Sequence, residues 1–286
     1  MCIDKKIIVQ GYPGCFHEEA AQKYFQTEDT TIVPSDSFDM LADLLVENQN
    51  DHIAIMAIEN SIAGSILQNY RILRERQFRV AGEVYLRIKH NLMALPGTTI
   101  EDLKQVSSHP MAINQCLSFF SQHPHIKLVK SEDTALSAKI VSERQKPTRG
   151  AIASKVASKL YGLDMLAESI ETSKINYTRF FILHGKDQII PEGTFDKATI
   201  YLRVLDRPGC LLKVMNKIAE QNINISKLQS YPVLEKVSEY YFYLDLEFAD
   251  FGQYEAVMEY LPEVTMELKE LGTYKKASVY DHQTIA

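Results

Sequence analysis

The sequence predicts an α/β protein in two parts: a longer part alternating strands with helices, then a shorter one of βαββαβ order. Three observations predict this. Up to about Phe181, short apolar runs alternate with stretches of helical periodicity, the pattern of an α/β domain. At 188–194 the chain reads Gln-Ile-Ile-Pro-Glu-Gly-Thr, with Pro and Gly as breakers. Beyond that point the pattern is strand, helix, strand, strand, helix, strand, a ferredoxin-like order.

In the first part, 7–9 reads as strand and 18–25 as helix, then 53–58 as strand and 64–76 as helix. One strand is expected over 84–95 and one helix over 110–120. Strand 151–153 precedes helix 155–161, and 180–183 is the last apolar run. Such alternation builds mainly parallel sheet, in which the loops at the carboxyl ends of strands carry function. The expected divisions are a first domain at 1–187, a linker at 188–196 and a second domain at 197–286. In the second domain 198–205 is a strand turned by Pro208-Gly209, and 211–220 a helix with Leu211, Leu212, Met215, Ile218 and Ala219 on one face. Strands at 225–231 and 240–248, a helix at 254–261 and a strand at 266–274 complete it.

Composition excludes several classes of protein. A chain of 286 residues accommodates two domains with sizeable cores. Its 45% hydrophobic and 24% charged residues are ordinary for a globular protein. A net charge of -6 argues against a nucleic-acid partner. It does not exclude an anionic substrate, because the field in a cleft can oppose the net charge. Cys2, Cys15, Cys116 and Cys210 form no Cys-x-x-Cys pair and suggest no disulfide scaffold, so a reducing cytoplasm is expected. The apolar run at 7–9 is too short for a signal peptide, and no uncharged apolar stretch approaches ~18 residues, so no membrane partner is expected. Gly11-Tyr12-Pro13-Gly14 lacks the Gly-x-Gly-x-x-Gly dinucleotide pattern, and His123-Pro124-His125 has no further ligand at metal spacing. No cofactor and no metal are expected.

Three polar blocks sit where an apolar run meets a helical pattern or another strand. Asn176 and Thr178, two apart at the mouth of a strand, share one face, with Tyr177 and Arg179 on the other. A threonine hydroxyl both donates and accepts, and a neighbouring amide orients a ligand. Taken alone, the spacing favours ordinary strand-end hydrogen bonding. Glu59-Asn60-Ser61 precedes the helix expected at 64, where free N–H groups favour anions; taken alone, the block favours plain capping by Ser61. Ser108-His109-Pro110 places His109 as a helix cap before Pro110, with Gln115 a turn and a half further on.

Together these blocks resemble those of a monofunctional prephenate dehydratase with a C-terminal ACT regulatory domain. The resemblance covers nearly the whole chain, in the family's order. Gly11 to Ala21 is similar to its first block, Glu59-Asn60-Ser61-Ile62-Ala63-Gly64-Ser65 to its Glu-Asn-Ser-x-x-Gly-Ser, and Ser108-His109-Pro110 with Gln115-Cys116 to its Ser-His-Pro and Gln-Cys pair. Asn176-x-Thr178-Arg179-Phe180 is the most specific of them. The resemblance implies a two-lobed catalytic domain like periplasmic binding proteins, with a cleft between the lobes. It implies Thr178 as the main catalytic residue assisted by Asn60, Ser108 and Gln115, and substrate binding by Glu59, Ser61, Ser154, Asn176 and Arg179. Arg179 is equally suited to a structural ion pair.

The implied reaction is loss of a ring carboxylate and a ring hydroxyl from prephenate, giving phenylpyruvate for L-phenylalanine biosynthesis. It needs no redox step, in keeping with the expected lack of cofactors. Feedback by L-phenylalanine is implied at Gly209, Leu211, Leu212, Asn224 and Ser230. A homo-oligomer is implied, a dimer through the second domain and a tetramer of such dimers. The alternatives are the same chemistry on arogenate, and a non-catalytic two-lobed binding module; loss of Thr178 or Asn60 would point to the latter, and both are present. Five residues depart from the family. Cys15 and His17 stand where small hydroxyl residues are usual, Thr172 where an Asp is usual, and Gln229 and Tyr231 where the effector motif has Glu and Arg. The last two bear on feedback more than on catalysis.

Overall fold

The structure is a computed structural model that describes residues 6–28, 30–186, 188, 193–233, 236 and 238–278. Cys2 and residues 189–192 of the expected linker lie outside the described residues. The elements are β1 (Lys6–Gln10), α1 (Phe16–Phe25), β2 (Ile32–Ser35), α2 (Phe38–Glu47), β3 (His52–Asn60), β4 (Gly64–Ser65), α3 (Leu67–Arg76) and β5 (Arg79–Arg87). Next come β6 (Asn91–Ala94), β7 (Gln105–Ser108), α4 (Pro110–Gln115), α5 (Leu117–Phe120), β8 (Lys127–Lys130), α6 (Thr134–Arg144), β9 (Arg149–Ala153), α7 (Lys155–Tyr161), β10 (Asp164–Ala167) and β11 (Tyr177–His184). The last are β12 (Lys197–Arg203), α8 (Cys210–Glu220), β13 (Asn224–Pro232), β14 (Tyr240–Glu247), α9 (Phe251–Tyr260), a 3-10 turn (Leu261–Glu263) and β15 (Glu267–Tyr274).

One sheet has the order β2-β1-β3-β11-β5, with β4 a hairpin partner of β3. β1 is parallel to both β2 and β3. Every residue of β3 from His52 to Ile58 is buried, which explains its continuous apolar run, since a strand covered on both faces does not alternate. A second sheet has the order β10-β6-β9-β7-β8. Here the expectation of mainly parallel strands needs correction. β7 is parallel to β8 and β9, but β6 is antiparallel to β9 and β10. α7 carries the chain from β9 over to β10, and β6 fills the place between them running the other way.

Three expected elements are broken, each where it builds the site. The single strand expected over 84–95 is two strands in two different sheets. Residues 88–90 cross between the sheets beside the crossing at 170–176: Ile88 N donates to Asn176 O, and Ile170 N donates to His90 O. The polar run Lys89-His90-Asn91 between apolar 84–86 and 92–95 marks the break, which the expectation of one continuous strand passes over. The helix expected over 110–120 stops at Cys116 (φ -109°, ψ 6°) and restarts. The break frees the Gln115 carbonyl, which accepts from Thr172 N at 2.8 Å. The helix expected from 64 begins at Leu67, because Asn60 Oδ1 takes the N–H groups of Ile62 and Ala63 and holds a hairpin instead.

The C-terminal sheet is antiparallel with the order β13-β14-β12-β15. Ala198, Ile200, Leu202, Leu244 and Leu246 of its strands pack on Val214 and Ile218 of α8 and Val257 of α9. α8 turns on a different face from the one expected: Val214 and Ile218 are buried, while Leu212 is 58% exposed. By internal contacts the chain forms two compact units, Met1–Ile66 with Val84–Phe180, and Leu67–Glu83 with Phe181–Ala286. This differs from the linear boundary expected at 188–196. α3 belongs to the second unit because Tyr70 packs on Tyr243 at 4.8 Å and accepts its hydroxyl proton at a backbone carbonyl.

Candidate active site

A cavity of ≈ 330 Å³ in the first unit is lined by Asn60, Gln115, Asn176 and Thr178, a size that suits a small ligand. These side chains come from four places in the chain. Asn60 ends β3, Gln115 ends α4, Asn176 precedes β11 and Thr178 is its second residue. Strand alternation holds: Asn176, Thr178 and Phe180 line the cavity, and Tyr177 and Arg179 do not.

A directional chain of hydrogen bonds joins the four. Backbone N–H groups can only donate, so the donations from Ile62 N and Ala63 N, both at 2.9 Å, fix Asn60 Oδ1 as acceptor. Asn60 Nδ2 then donates to Thr178 Oγ1 at 2.9 Å and to Asn176 Oδ1 at 2.8 Å. Asn176 Nδ2 in turn donates to Gln115 Oε1 at 3.0 Å. Each amide orients the next. Thr178 Oγ1 thus accepts a hydrogen bond from Asn60, and its own O–H remains for a ligand. Accepting one hydrogen bond makes a hydroxyl a better donor of the next.

The remaining predicted residues lie outside the cavity lining. Ser108 is fully buried and donates to Ile152 O at 2.7 Å. Ser154 donates to Gly14 O and caps α7 by accepting from Ala157 N. Ser61 donates to Ile175 O and accepts from Tyr177 N, so it ties the strand mouth rather than capping a helix. Arg179 is 1% exposed and stands 4.0 Å from Glu59 Oε2 and 5.9 Å from the Tyr85 ring. A buried charge needs such a partner.

Electrostatically the lining is quiet. Burial pushes the Cys15 thiol up to about 12, and it pushes His17 down to about 3. Both are neutral near pH 7. His17 Nε2 accepts from Ala57 N at 3.2 Å, and its ring meets Phe180 edge-on at 5.0 Å. Burial also raises the Asp133 carboxyl above its ordinary range, against the N–H donors of α6 that it caps. Among the described residues no Lys or Arg lines this cavity, whereas Glu132 and Asp133 do.

Two residues of the site had no mark in the sequence. His90 lies in the crossing at 88–90, lines the cavity and bonds through Nε2 to Gln115 Oε1 at 2.7 Å. Glu171, 2% exposed, accepts from His90 N at 2.9 Å and from Ser169 Oγ at 2.8 Å. Neither stands at a motif spacing; the two crossings that place them together are a property of the fold.

A model of the prephenate dehydratase family matches residues 7–188. The chain therefore belongs to the prephenate dehydratase family, a family of lyases. It is 37% identical over 85% of its length to arogenate dehydratase/prephenate dehydratase 1, chloroplastic, of Arabidopsis thaliana, and spans 64% of that protein. Among solved structures it is similar to the quorum-quenching acylase GqqA, with a TM-score of 0.85 and 28% identity, covering 96% of this chain and 98% of that one. It is also similar to the prephenate dehydratase of Arthrobacter aurescens in complex with L-Phe, with a TM-score of 0.83 and 26% identity, covering 96% of this chain and 91% of that one. No helix among the described residues is long and apolar enough to cross a membrane.

Proposed function

We propose that this chain is a prephenate dehydratase of single activity, acting in L-phenylalanine biosynthesis in the cytoplasm. The observation that carries the reading is the Thr178 hydroxyl, which accepts from Asn60 Nδ2 and keeps its proton for the cavity. In the reaction the bond between ring and carboxylate breaks and carbon dioxide leaves. Its electron pair enters the ring, and the ring C–O bond breaks at the far carbon. Thr178 donates a hydrogen bond to the departing hydroxyl, which leaves at the level of hydroxide and becomes water by taking a proton from solvent. Placed acid catalysis of this kind contributes ~10²–10⁴-fold. Gln115 Nε2, which has no hydrogen-bond partner among the described residues, is a second donor for substrate oxygen. The anchored amides of Asn60 and Asn176 hold these donors ready, so reorganisation during the reaction is small.

The two sheets of the first unit are proposed as the lobes of a periplasmic-binding-protein-like domain over roughly 1–187. The antiparallel βαββαβ part at 197–286 is proposed as an ACT domain that binds L-phenylalanine near Gly209, Leu211, Leu212, Asn224 and Ser230. The bound L-Phe named for the Arthrobacter aurescens structure supports this. The outer strands β13 and β15 are open sheet edges, a liability that pairing between two copies removes; a dimer through this part, and a tetramer of dimers, are proposed.

Arogenate is the second reading. It carries an ammonium group, and the acidic Glu132 and Asp133 on a lining without Lys or Arg among the described residues favour it. An acyl-transfer reading, raised by the name of GqqA, lacks an activated nucleophile: the Cys15 thiol is held protonated, and Thr178 bonds an amide rather than a base. Incubating the pure protein with prephenate and separately with arogenate decides the matter. Phenylpyruvate from prephenate is expected; phenylalanine formed faster from arogenate would install the second reading, and neither product would overturn both.

A further inference from the structure

Gln115 Oε1 receives two donors, Asn176 Nδ2 at 3.0 Å and His90 Nε2 at 2.7 Å. An amide oxygen only accepts, so His90 carries its proton on Nε2. The other nitrogen, Nδ1, is buried and has no hydrogen-bond partner among the described residues. His90 itself is 3% exposed. A second proton on Nδ1 would be a buried donor facing no acceptor, a costly arrangement. The backbone on both sides is pinned: His90 N donates to Glu171 Oε2, and His90 O accepts from Ile170 N at 2.8 Å. The ring edge also meets Phe16 at 5.6 Å and 80°.

We propose that His90, as a neutral imidazole with its proton on Nε2, is a positioning residue that locks the Gln115 amide with its NH₂ toward the substrate. This rests on the dehydratase reading of the same cavity. The logic is that the hydrogen-bond chain has two ends. At one end Ile62 N and Ala63 N fix Asn60; at the other, His90 fixes Gln115. With His90 gone, one donor to Gln115 Oε1 remains, and the amide is free to flip and present its oxygen to an anionic substrate. The charge facing the ring is that of Glu171, which stands 3.9 Å from Arg87 and 3.8 Å from Lys174.

The test compares His90→Leu, which removes the donor, with His90→Gln, whose amide NH₂ reaches the place of Nε2. Thr178→Val and wild type are measured alongside, and thermal melts establish that each variant folds. His90→Leu is expected to lower kcat/KM about tenfold or more, and His90→Gln to recover most of that loss. In a Gln115→Leu background, His90→Leu should cost less than twofold, because residues acting through one another are not additive. Equal losses for Leu and Gln, or a full independent loss in the Gln115→Leu background, would overturn the inference and leave the dehydratase reading standing. A wild type without turnover on either substrate would overturn both. If His90→Leu fails to fold, the comparison rests on His90→Asn, whose shorter amide cannot reach Gln115; activity equal to that of His90→Gln would overturn the inference.

Discussion

Neighbours of Thr178 dictate the direction of its hydroxyl, the proposed donor to the leaving group. Asn60 is the hinge of this arrangement, with its oxygen committed to two backbone donors and its nitrogen to Thr178 and Asn176. Asn60→Ala is expected to lower kcat and raise KM together, since the hairpin at 62–63 and the hydroxyl both lose their partner; unchanged constants in a steady-state assay would place the chemistry elsewhere. His17 makes a second expectation at this scale. In the fold it stays neutral down to about pH 3, whereas in the unfolded chain it takes a proton near 6.5. Below 6.5 the unfolded state therefore binds more protons, and the contribution of His17 makes stability fall as pH drops from 6.5 toward 3. His90 acts in the same direction. Replacing His17 by Asn, followed by urea unfolding at pH 7 and pH 5, should flatten the fall between the two; an unchanged fall would show that His17 titrates normally.

At the scale of elements, the buried pair of Lys197 on β12 and Glu83 on β5 holds the second unit together. Lys197 Nζ lies 3.1 and 3.2 Å from the two Glu83 oxygens, both side chains at 4% exposure or less. Lys197→Met leaves a carboxylate buried without its cation, which costs about 3–5 kcal/mol, readable as a lower urea midpoint; the same midpoint would mean Glu83 is satisfied without it. Gly272 on β15 tells a related story. A Cβ there would lie 2.0 Å from Val80 O, so the strand passes β5 where only glycine fits. Asn60, Gln115, Asn176 and Thr178 were legible through the resemblance of their blocks to those of the family; taken alone, the spacing of Asn60, Asn176 and Thr178 favoured capping and strand-end bonding. The βαββαβ order was legible from periodicity, as periods of two and 3.6 alternate cleanly there. What stayed hidden depends on contacts distant in sequence. The break at 88–90 sends its two strands into different sheets, and Ser108 and Ser154 turn their hydroxyls to backbone carbonyls that only the fold brings near.

At the scale of the whole molecule, the proposed lyase cavity belongs to the first unit and the proposed effector sheet to the second. L-phenylalanine is expected to lower turnover, which requires that it bind a less active state better than the active one; equal affinity shifts nothing. Tyr231 stands near Arg74, whose guanidinium lies 3.9 Å over Tyr241 and 5.8 Å from the Tyr231 ring. The inhibition should therefore survive in altered strength. Titration of the assay with phenylalanine checks this, and neither inhibition nor heat of binding at millimolar effector would mean that the second part serves assembly alone. The central claim is that the proton Thr178 holds free is the one that meets the leaving hydroxyl. Thr178→Val keeps the side chain's shape and removes that hydroxyl, so steady-state turnover of prephenate by this variant is the most direct measurement. A fall in kcat of about 10²-fold or more with a smaller change in KM is expected; turnover near that of wild type would contradict the claim.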